Sequence, residues 1–194
     1  MKRHSIFRII NAIVISAVLT ACNKRSIHMD MNTKWTIRSS FSDDKRNFSI
    51  KSDKLATTAK SHVGDTDWAY GEKKDNFPAN CWKCNKFVHD VLEESGITPP
   101  TRTDSTGTYP IRAADWASSS RIKNWEYKGS NETWQPGDVI AKAFDQPNEN
   151  ASGHCGIAVS SYEVVAAGRE KVYLRANDPN LPRGEATVRR YMDQ

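Results

Sequence analysis

The spacing of apolar residues predicts two helices in the first half of the chain. A short amphipathic helix is predicted over residues 53–63, and Gly64 ends it. A second helix is predicted to begin at Cys84 or Asn85 and to run to about Ser95. Its apolar residues recur at the period of one helical face, which predicts a buried stripe. The members of this stripe are Phe87, Val88, Val91 and Leu92.

The last third of the chain has the short apolar runs that are typical of β-strands. Turn residues separate five such runs, at residues 138–143, 156–160, 164–167, 171–176 and 187–191. The preceding segment, residues 97–133, is predicted to be a long loop with one short helical piece at 113–118. Helices followed by strands in this order predict an α+β fold, with N-terminal helices packed on a small antiparallel sheet.

The N-terminal residues have the features of an export signal. Residues 1–8 are basic, and residues 9–19 form an apolar run too short to cross a membrane. The run ends in Leu19-Thr20-Ala21-Cys22, which resembles the lipobox of bacterial lipoproteins. The resemblance implies that residues 1–21 are a signal peptide and that Cys22 becomes the lipidated first residue. The alternative is an ordinary signal peptide with an incidental cysteine.

The segment after Cys22 predicts how the chain is organised in the cell envelope. Residues 22–50 are polar and lack periodicity, which predicts a flexible tether to a domain at residues 51–194. Lipid on Cys22 would anchor the protein to a membrane facing the periplasm. Position 23 is Asn23, not the aspartate that retains enteric lipoproteins in the inner membrane, so the outer membrane is favoured.

Charge and composition exclude some partners. The formal net charge is +5, but the excess is spread along the chain and forms no basic face interleaved with aromatic residues. No nucleic-acid partner is therefore expected. The sequence also indicates no cofactor and no metal, and it does not indicate an oligomeric state.

Three cysteines remain once Cys22 carries lipid, and an odd number leaves at least one thiol unpaired. These are Cys81, Cys84 and Cys155. Cys84 lies at the predicted first turn of a helix, where the helix dipole lowers a thiol pKa and free N–H groups can stabilise an oxyanion. It is the candidate nucleophile.

His154 is the candidate base for this nucleophile. It lies beside glycines in Gly153-His154-Cys155-Gly156-Ile157, at the start of an apolar run, where a substrate has room to approach. A neutral imidazole beside a thiol can accept its proton and give a thiolate–imidazolium pair. The other histidines lie in the signal, in the tether or on predicted helix surfaces.

Four motifs in order resemble the NlpC/P60-like and CHAP-like amidases. They are the Val63-Gly64 to Tyr70-Gly71 segment, the Cys84-Asn85-Lys86-Phe87-Val88 helix, Trp134-Gln135-Pro136-Gly137-Asp138, and Gly153-His154-Cys155-Gly156-Ile157. The resemblance covers about residues 52–194. It implies a papain-like fold, a cysteine nucleophile, a histidine base and a polar orienting residue. It also implies that the substrates are peptidoglycan stem peptides, often cut at the D-γ-glutamyl–diaminopimelate bond.

The chain departs from the pattern of that family at the orienting residue and at position 155. Many relatives keep the orienting residue on the strand after the histidine, but residues 164–167 carry no polar side chain. Asn177 and Asp178 are the nearest candidates, and alternation lets only one of them face the site. Position 155 is Cys155 where the family usually has valine. A disulfide between Cys81 and Cys155, which would leave Cys84 free, is our hypothesis for these thiols.

Other functions also fit parts of the sequence. Cys81-Trp82-Lys83-Cys84 has the spacing of a thiol-disulfide oxidoreductase, although the expected βαβ context is missing. The three free cysteines with His154 are a weaker candidate for zinc. A catalytically inactive wall-binding lipoprotein is the third alternative, because the orienting residue is missing from its usual strand.

Overall fold

The computed structural model describes residues 42–148 and 151–193, with side chains described from 50 to 146 and from 151 to 193. The predicted signal peptide, Cys22 and most of the predicted tether lie outside the described residues. Among the helices of the described part, none combines the length and the apolar character needed to cross a membrane.

In the described residues, three helices precede or interrupt the strands. They are α1 (Ser42–Ser61), α2 (Cys84–Glu94) and α3 (Ala113–Ala117). The second agrees closely with the helix predicted at 84–95. The first begins well before residue 53, so residues 42–50, which the sequence assigned to the tether, are helical.

The part of the chain that the structure describes has eight strands in two sheets. Strands β1 (Thr101–Asp104) and β2 (Gly107–Pro110) pair as a separate hairpin. A six-stranded sheet has the order β3-β8-β4-β5-β6-β7, and every pairing in it is antiparallel. Its strands are β3 (Trp125–Gly129), β4 (Val139–Asn148), β5 (Ala151–Ala158), β6 (Glu163–Ala167), β7 (Val172–Ala176) and β8 (Thr187–Tyr191). The α+β class with a mostly antiparallel sheet is therefore confirmed.

The segment 97–133 differs from the long loop that the sequence predicted. It contains the β1–β2 hairpin and the edge strand β3 as well as α3. These strands are short and carry few consecutive apolar residues, so their pattern is weak. Pairing with β8 stabilises β3, and that pairing is invisible in the local sequence.

Alternation along the strands divides the buried residues between two clusters. The larger cluster joins the apolar stripe of α2 to one face of the sheet, including Cys155 and Ile157 of β5. The smaller cluster lies on the other face and includes Ala158, Ile140 and Trp134. Adjacent residues of β5 thus enter different clusters, as expected from the period of a strand.

A tight contact fixes the start of β4 against α1. Gly137 has a positive φ of +86°, and a Cβ at this position would lie 2.6 Å from the carbonyl oxygen of Ser52. The neighbouring Asp138 is buried and accepts hydrogen bonds from Nε and Nη2 of Arg190 in β8, at 2.9 and 2.8 Å. The Pro-Gly-Asp motif therefore connects α1, β4 and β8.

Candidate active site

Cys84 is the first residue of α2, and the helix packs on β5. Its side chain is 5% exposed, and its sulfur lies 4.0 Å from the carbonyl oxygen of Gly153. The first N–H groups of a helix have no intrahelical acceptor. They are therefore free to stabilise negative charge beside the thiol.

Lys83 stabilises the segment that precedes the candidate nucleophile, Cys84. It is 1% exposed, and its Nζ donates to the carbonyl oxygens of Ala69 at 3.1 Å, Tyr70 at 3.4 Å and Cys81 at 3.1 Å. These three bonds satisfy all three donors of the ammonium group. The aromatic turn at residues 68–71 is thereby held against the start of α2.

His154 is held by a chain of two hydrogen bonds that runs away from Cys84. Its Nε2 lies 2.9 Å from the hydroxyl oxygen of Tyr173 in β7. The Tyr173 hydroxyl in turn donates to Oδ2 of Asp178. The rings of His154 and Tyr173 are nearly parallel, at an interplanar angle of 13°.

This chain of hydrogen bonds sets the tautomer of His154. Burial and the hydrogen bond to Asp178 raise the pKa of Tyr173 strongly, so its hydroxyl stays protonated and its single hydrogen goes to Asp178. The hydroxyl oxygen must then accept from Nε2–H of His154. The lone pair of neutral His154 is left on Nδ1, which is the nitrogen available to the thiol of Cys84.

The pKa of the Cys84 thiol is held well below its ordinary value. The first cause is a hydrogen bond from the thiol of Cys155, and the second is the hydrogen bond and charge of His154; together they outweigh burial. Cys155 shows the opposite direction, because burial and the neighbouring Cys84 raise its pKa well above the ordinary value. These opposite directions favour the negative charge on Cys84, with the thiol of Cys155 as the hydrogen-bond donor.

The pKa of His154 is raised above its ordinary value. Burial alone would lower it, but the hydrogen bond and charge of Cys84 and the charge of Asp178 outweigh burial and raise it. A raised histidine pKa and a lowered cysteine pKa favour a thiolate–imidazolium pair.

The structure separates the two candidates for the orienting residue. Asn177 is exposed, occupies a turn with a φ of 50°, and is not among the residues that line the cleft beside His154. Asp178 is fully buried and reaches His154 only through Tyr173. The sequence prediction missed Tyr173, although the alternation of residues 171–176 would have placed a hydroxyl-bearing side chain on one face of that strand.

The predicted disulfide between Cys81 and Cys155 is absent from the described structure, in which both thiols are free. The thiol of Cys81 instead donates to the carbonyl oxygen of Pro78 at 3.0 Å. Cys155 points into the larger apolar cluster together with Cys84. The thiol beside the candidate nucleophile is thus Cys155 and not its sequence neighbour Cys81.

A cleft of about 480 Å³ opens over Cys84 and His154. Trp82 and Phe144 supply its aromatic walls, whereas Trp116, Trp125 and Trp134 are buried in the interior. Its lining also carries more cationic than anionic side chains: Arg169, Lys171 and Arg175 against Glu170. The cleft can accommodate a polar chain that bears negative charge.

One group of side chains in the described part has the spacing of metal ligands, His89, Asp90 and Glu93 on α2. Asp90 already accepts hydrogen bonds from Lys86 at 2.7 Å and from Trp68 at 2.8 Å. These bonds explain its burial without an ion.

No model of a known protein family matches the chain, and no curated protein matches it either.

Proposed function

We propose that this protein is a cysteine amidase that hydrolyses amide bonds in peptidoglycan stem peptides. The observation that carries the proposal is the alignment of Cys84, His154, Tyr173 and Asp178. A nucleophile, a base and a group that orients the base are the minimal components of covalent acyl transfer. The order of helix and sheet around them supports a papain-like arrangement of the NlpC/P60 type.

The reaction follows from the protonation states of these groups. Nδ1 of His154 takes the thiol proton, and the Cys84 thiolate attacks the carbonyl carbon of the amide. N–H groups at the start of α2 stabilise the oxyanion. The imidazolium then protonates the leaving amine, and a thioester remains on Cys84. Water, deprotonated by His154, hydrolyses this thioester and regenerates the thiol.

Several features of the cleft support a peptide of the cell wall as the substrate. The cationic side chains Arg169, Lys171 and Arg175 complement the carboxylates of stem peptides. The predicted lipid on Cys22 would hold the domain on a membrane facing the periplasm, within reach of the wall. In this proposal the peptide is the partner and neither a cofactor nor a nucleic acid takes part.

An inactive wall-binding protein was the alternative suggested by the missing polar residue on β6. Tyr173 and Asp178 provide that polar partner from β7 and the turn after it. The oxidoreductase alternative requires Cys81 as the partner of Cys84, but the thiol of Cys81 donates a hydrogen bond to the carbonyl oxygen of Pro78. Both observations favour the amidase.

Digestion of purified sacculi and muropeptides tests the proposal. The full-length protein is expected to release new amino groups, and chromatography of the products identifies the bond that is cut. Cys84→Ala is expected to abolish the release, whereas Cys81→Ser keeps it. Intact muropeptides after prolonged incubation with the wild-type protein would contradict the proposal.

A further inference from the structure

Among the thiols of the described part, Cys155 lies beside the candidate nucleophile, yet none of its bonds is made or broken in the proposed reaction. It is fully buried and free, it lies in the same apolar cluster as Cys84, and the sulfur of Cys84 is 4.0 Å from the carbonyl oxygen of Gly153, two residues before Cys155 on β5. The packing of α2 on β5 brings the two sulfurs together from segments far apart in sequence. A valine or leucine would fill this apolar position without a reactive group, so the sulfur needs a separate explanation.

We propose that Cys84 and Cys155 form an oxidation site that takes hydroperoxides and closes to an intramolecular disulfide. Cys84 lines the cleft, so a molecule as small as hydrogen peroxide reaches its sulfur. Cys155 has no exposed surface and is reached only by Cys84. The first thiol is therefore the site of attack and the second is the resolving thiol.

Oxidation of the two thiols by the peroxide takes two steps. The Cys84 thiolate attacks one oxygen of the peroxide, the O–O bond breaks, and the departing hydroxide takes a proton from the His154 imidazolium and leaves as water. Cys84 is then a sulfenic acid. The sulfur of Cys155 attacks the sulfur of Cys84, the S–O bond breaks, and hydroxide leaves with the proton of Cys155 as a second water. Two thiols are oxidised and one peroxide is reduced.

The charges of the pair suit the first step. Thiolate and not thiol reacts with peroxide, and the hydrogen bond from Cys155 together with His154 favours that form of Cys84. Once Cys84 is a sulfenic acid, its negative charge is lost, and so is the part of the rise in the pKa of Cys155 that this charge causes. Proximity favours the second step, since both cysteines are buried in one cluster where α2 packs on β5.

The disulfide would block attack by Cys84 on a substrate, and it would also protect the sulfur of Cys84 from further oxidation. A sulfenic acid without a resolving thiol is oxidised further to sulfinic acid, which dithiol reductants do not reverse. Closing the bond with Cys155 keeps the nucleophile recoverable by a dithiol. The inference is independent of the substrate of the enzyme, and only its activity readout rests on the proposed function.

Peptide mapping of the oxidised full-length protein tests the inference. Trypsin cuts after Lys83, so it separates Cys81 from Cys84. After treatment with a slight excess of hydrogen peroxide, we expect the peptide of Cys84 linked to the peptide of Cys155, with a mass about 2 Da below the sum of the two thiol peptides. Dithiothreitol should separate them and restore amide hydrolysis.

Two variants complete the experiment. In Cys155→Val the same treatment should give sulfinic acid on Cys84, heavier by about 32 Da and not reversed by dithiothreitol. Cys81→Ser should behave as the wild type, and its map is decisive if Cys155→Val does not fold. A linkage between Cys81 and Cys84, or sulfinic acid at Cys84 in the wild type without any linked peptide, would overturn the inference. Failure of the protein to cut muropeptides would leave this mass result intact and would count only against the proposed function.

Discussion

Tyr173 lies between His154 and Asp178, with its hydroxyl oxygen 2.9 Å from Nε2 of the histidine and its proton directed to the aspartate. The tyrosine thus transmits the orienting effect of a fully buried carboxylate to the ring that faces Cys84. This relationship makes the orienting group a phenol backed by a carboxylate instead of a carboxylate or amide in direct contact with the base.

Tyr173→Phe is expected to lower kcat for amide hydrolysis by about 10- to 1000-fold and to change KM little, because the loss of the hydroxyl frees the ring and tautomer of His154. Kinetics on a defined muropeptide would measure this split. Tyr162→Phe is the matched control, since Tyr162 is 49% exposed. Equal kcat in Tyr173→Phe and the wild type would show that the phenol has no orienting role.

Gly168→Ala is expected to displace the ring of Tyr173. A Cβ at this position would lie 2.9 Å from Cδ1 of Tyr173 and 3.1 Å from the carbonyl oxygen of Lys171, which is too close for either contact. We expect activity to fall at least tenfold while the protein stays folded. Gly71→Ala is the control, because a Cβ there meets no atom within 4 Å. Activity and Tm measured together distinguish a displaced ring from unfolding, and a fully active Gly168→Ala would contradict the expectation.

The alkylation rate of Cys84 by iodoacetamide should rise at a lower pH than that of an ordinary thiol, because the hydrogen bond from Cys155 and the hydrogen bond and charge of His154 hold the pKa of Cys84 well below its ordinary value. His154→Gln removes a hydrogen bond and a charge that favour the thiolate, so the rise in rate should move toward pH 9. The rate at pH 7 should then fall by about tenfold or more.

A Cys81→Ser background isolates the Cys84 signal in that experiment. His62→Gln serves as the control histidine, since His62 bonds to Asp65 and Glu94 and not to a thiol. An alkylation rate of the wild type that rises over the same pH range as that of an ordinary thiol would contradict a lowered pKa of Cys84.

Asp138→Asn is expected to lower the free energy of unfolding by about 1.5–3 kcal/mol, because it weakens two charge-assisted hydrogen bonds from Arg190, whose guanidinium keeps Glu132 as a partner. Urea unfolding followed by tryptophan fluorescence measures the change. Glu126→Gln, which breaks the surface pair with Lys128, should change stability by less than about 1 kcal/mol. A similar effect for both substitutions would mean that the buried pair does not stabilise the start of β4.

Local patterns in the sequence were sufficient for most of the regular elements near the site. The apolar stripe of α2 predicted a helix beginning at Cys84, and the structure begins it there. The apolar runs predicted five strands of the main sheet, because period and turn residues are local properties. The predicted bounds were wrong for two of them, since β4 continues to Asn148 and β5 begins at Ala151 instead of residue 156. The motif order also selected Cys84 and His154, and the fold brings these two together.

Tertiary structure alone decided which further residues complete the site. Tyr173, Cys155 and Gly168 are ordinary strand and turn residues in sequence, and only the order β4-β5-β6-β7 brings two of them to His154 and Cys84. The tertiary structure also leaves Asn177 in an exposed turn and the thiols of Cys81 and Cys155 free. The sequence determined the candidate nucleophile and its helix because the helix dipole, the periodicity and the motif lie within a few residues. The groups that orient His154 and adjoin Cys84 depend on the sheet register. Hydrogen bonds between strands that are distant in sequence set this register, and the register decides which of several similar side chains lie at the site.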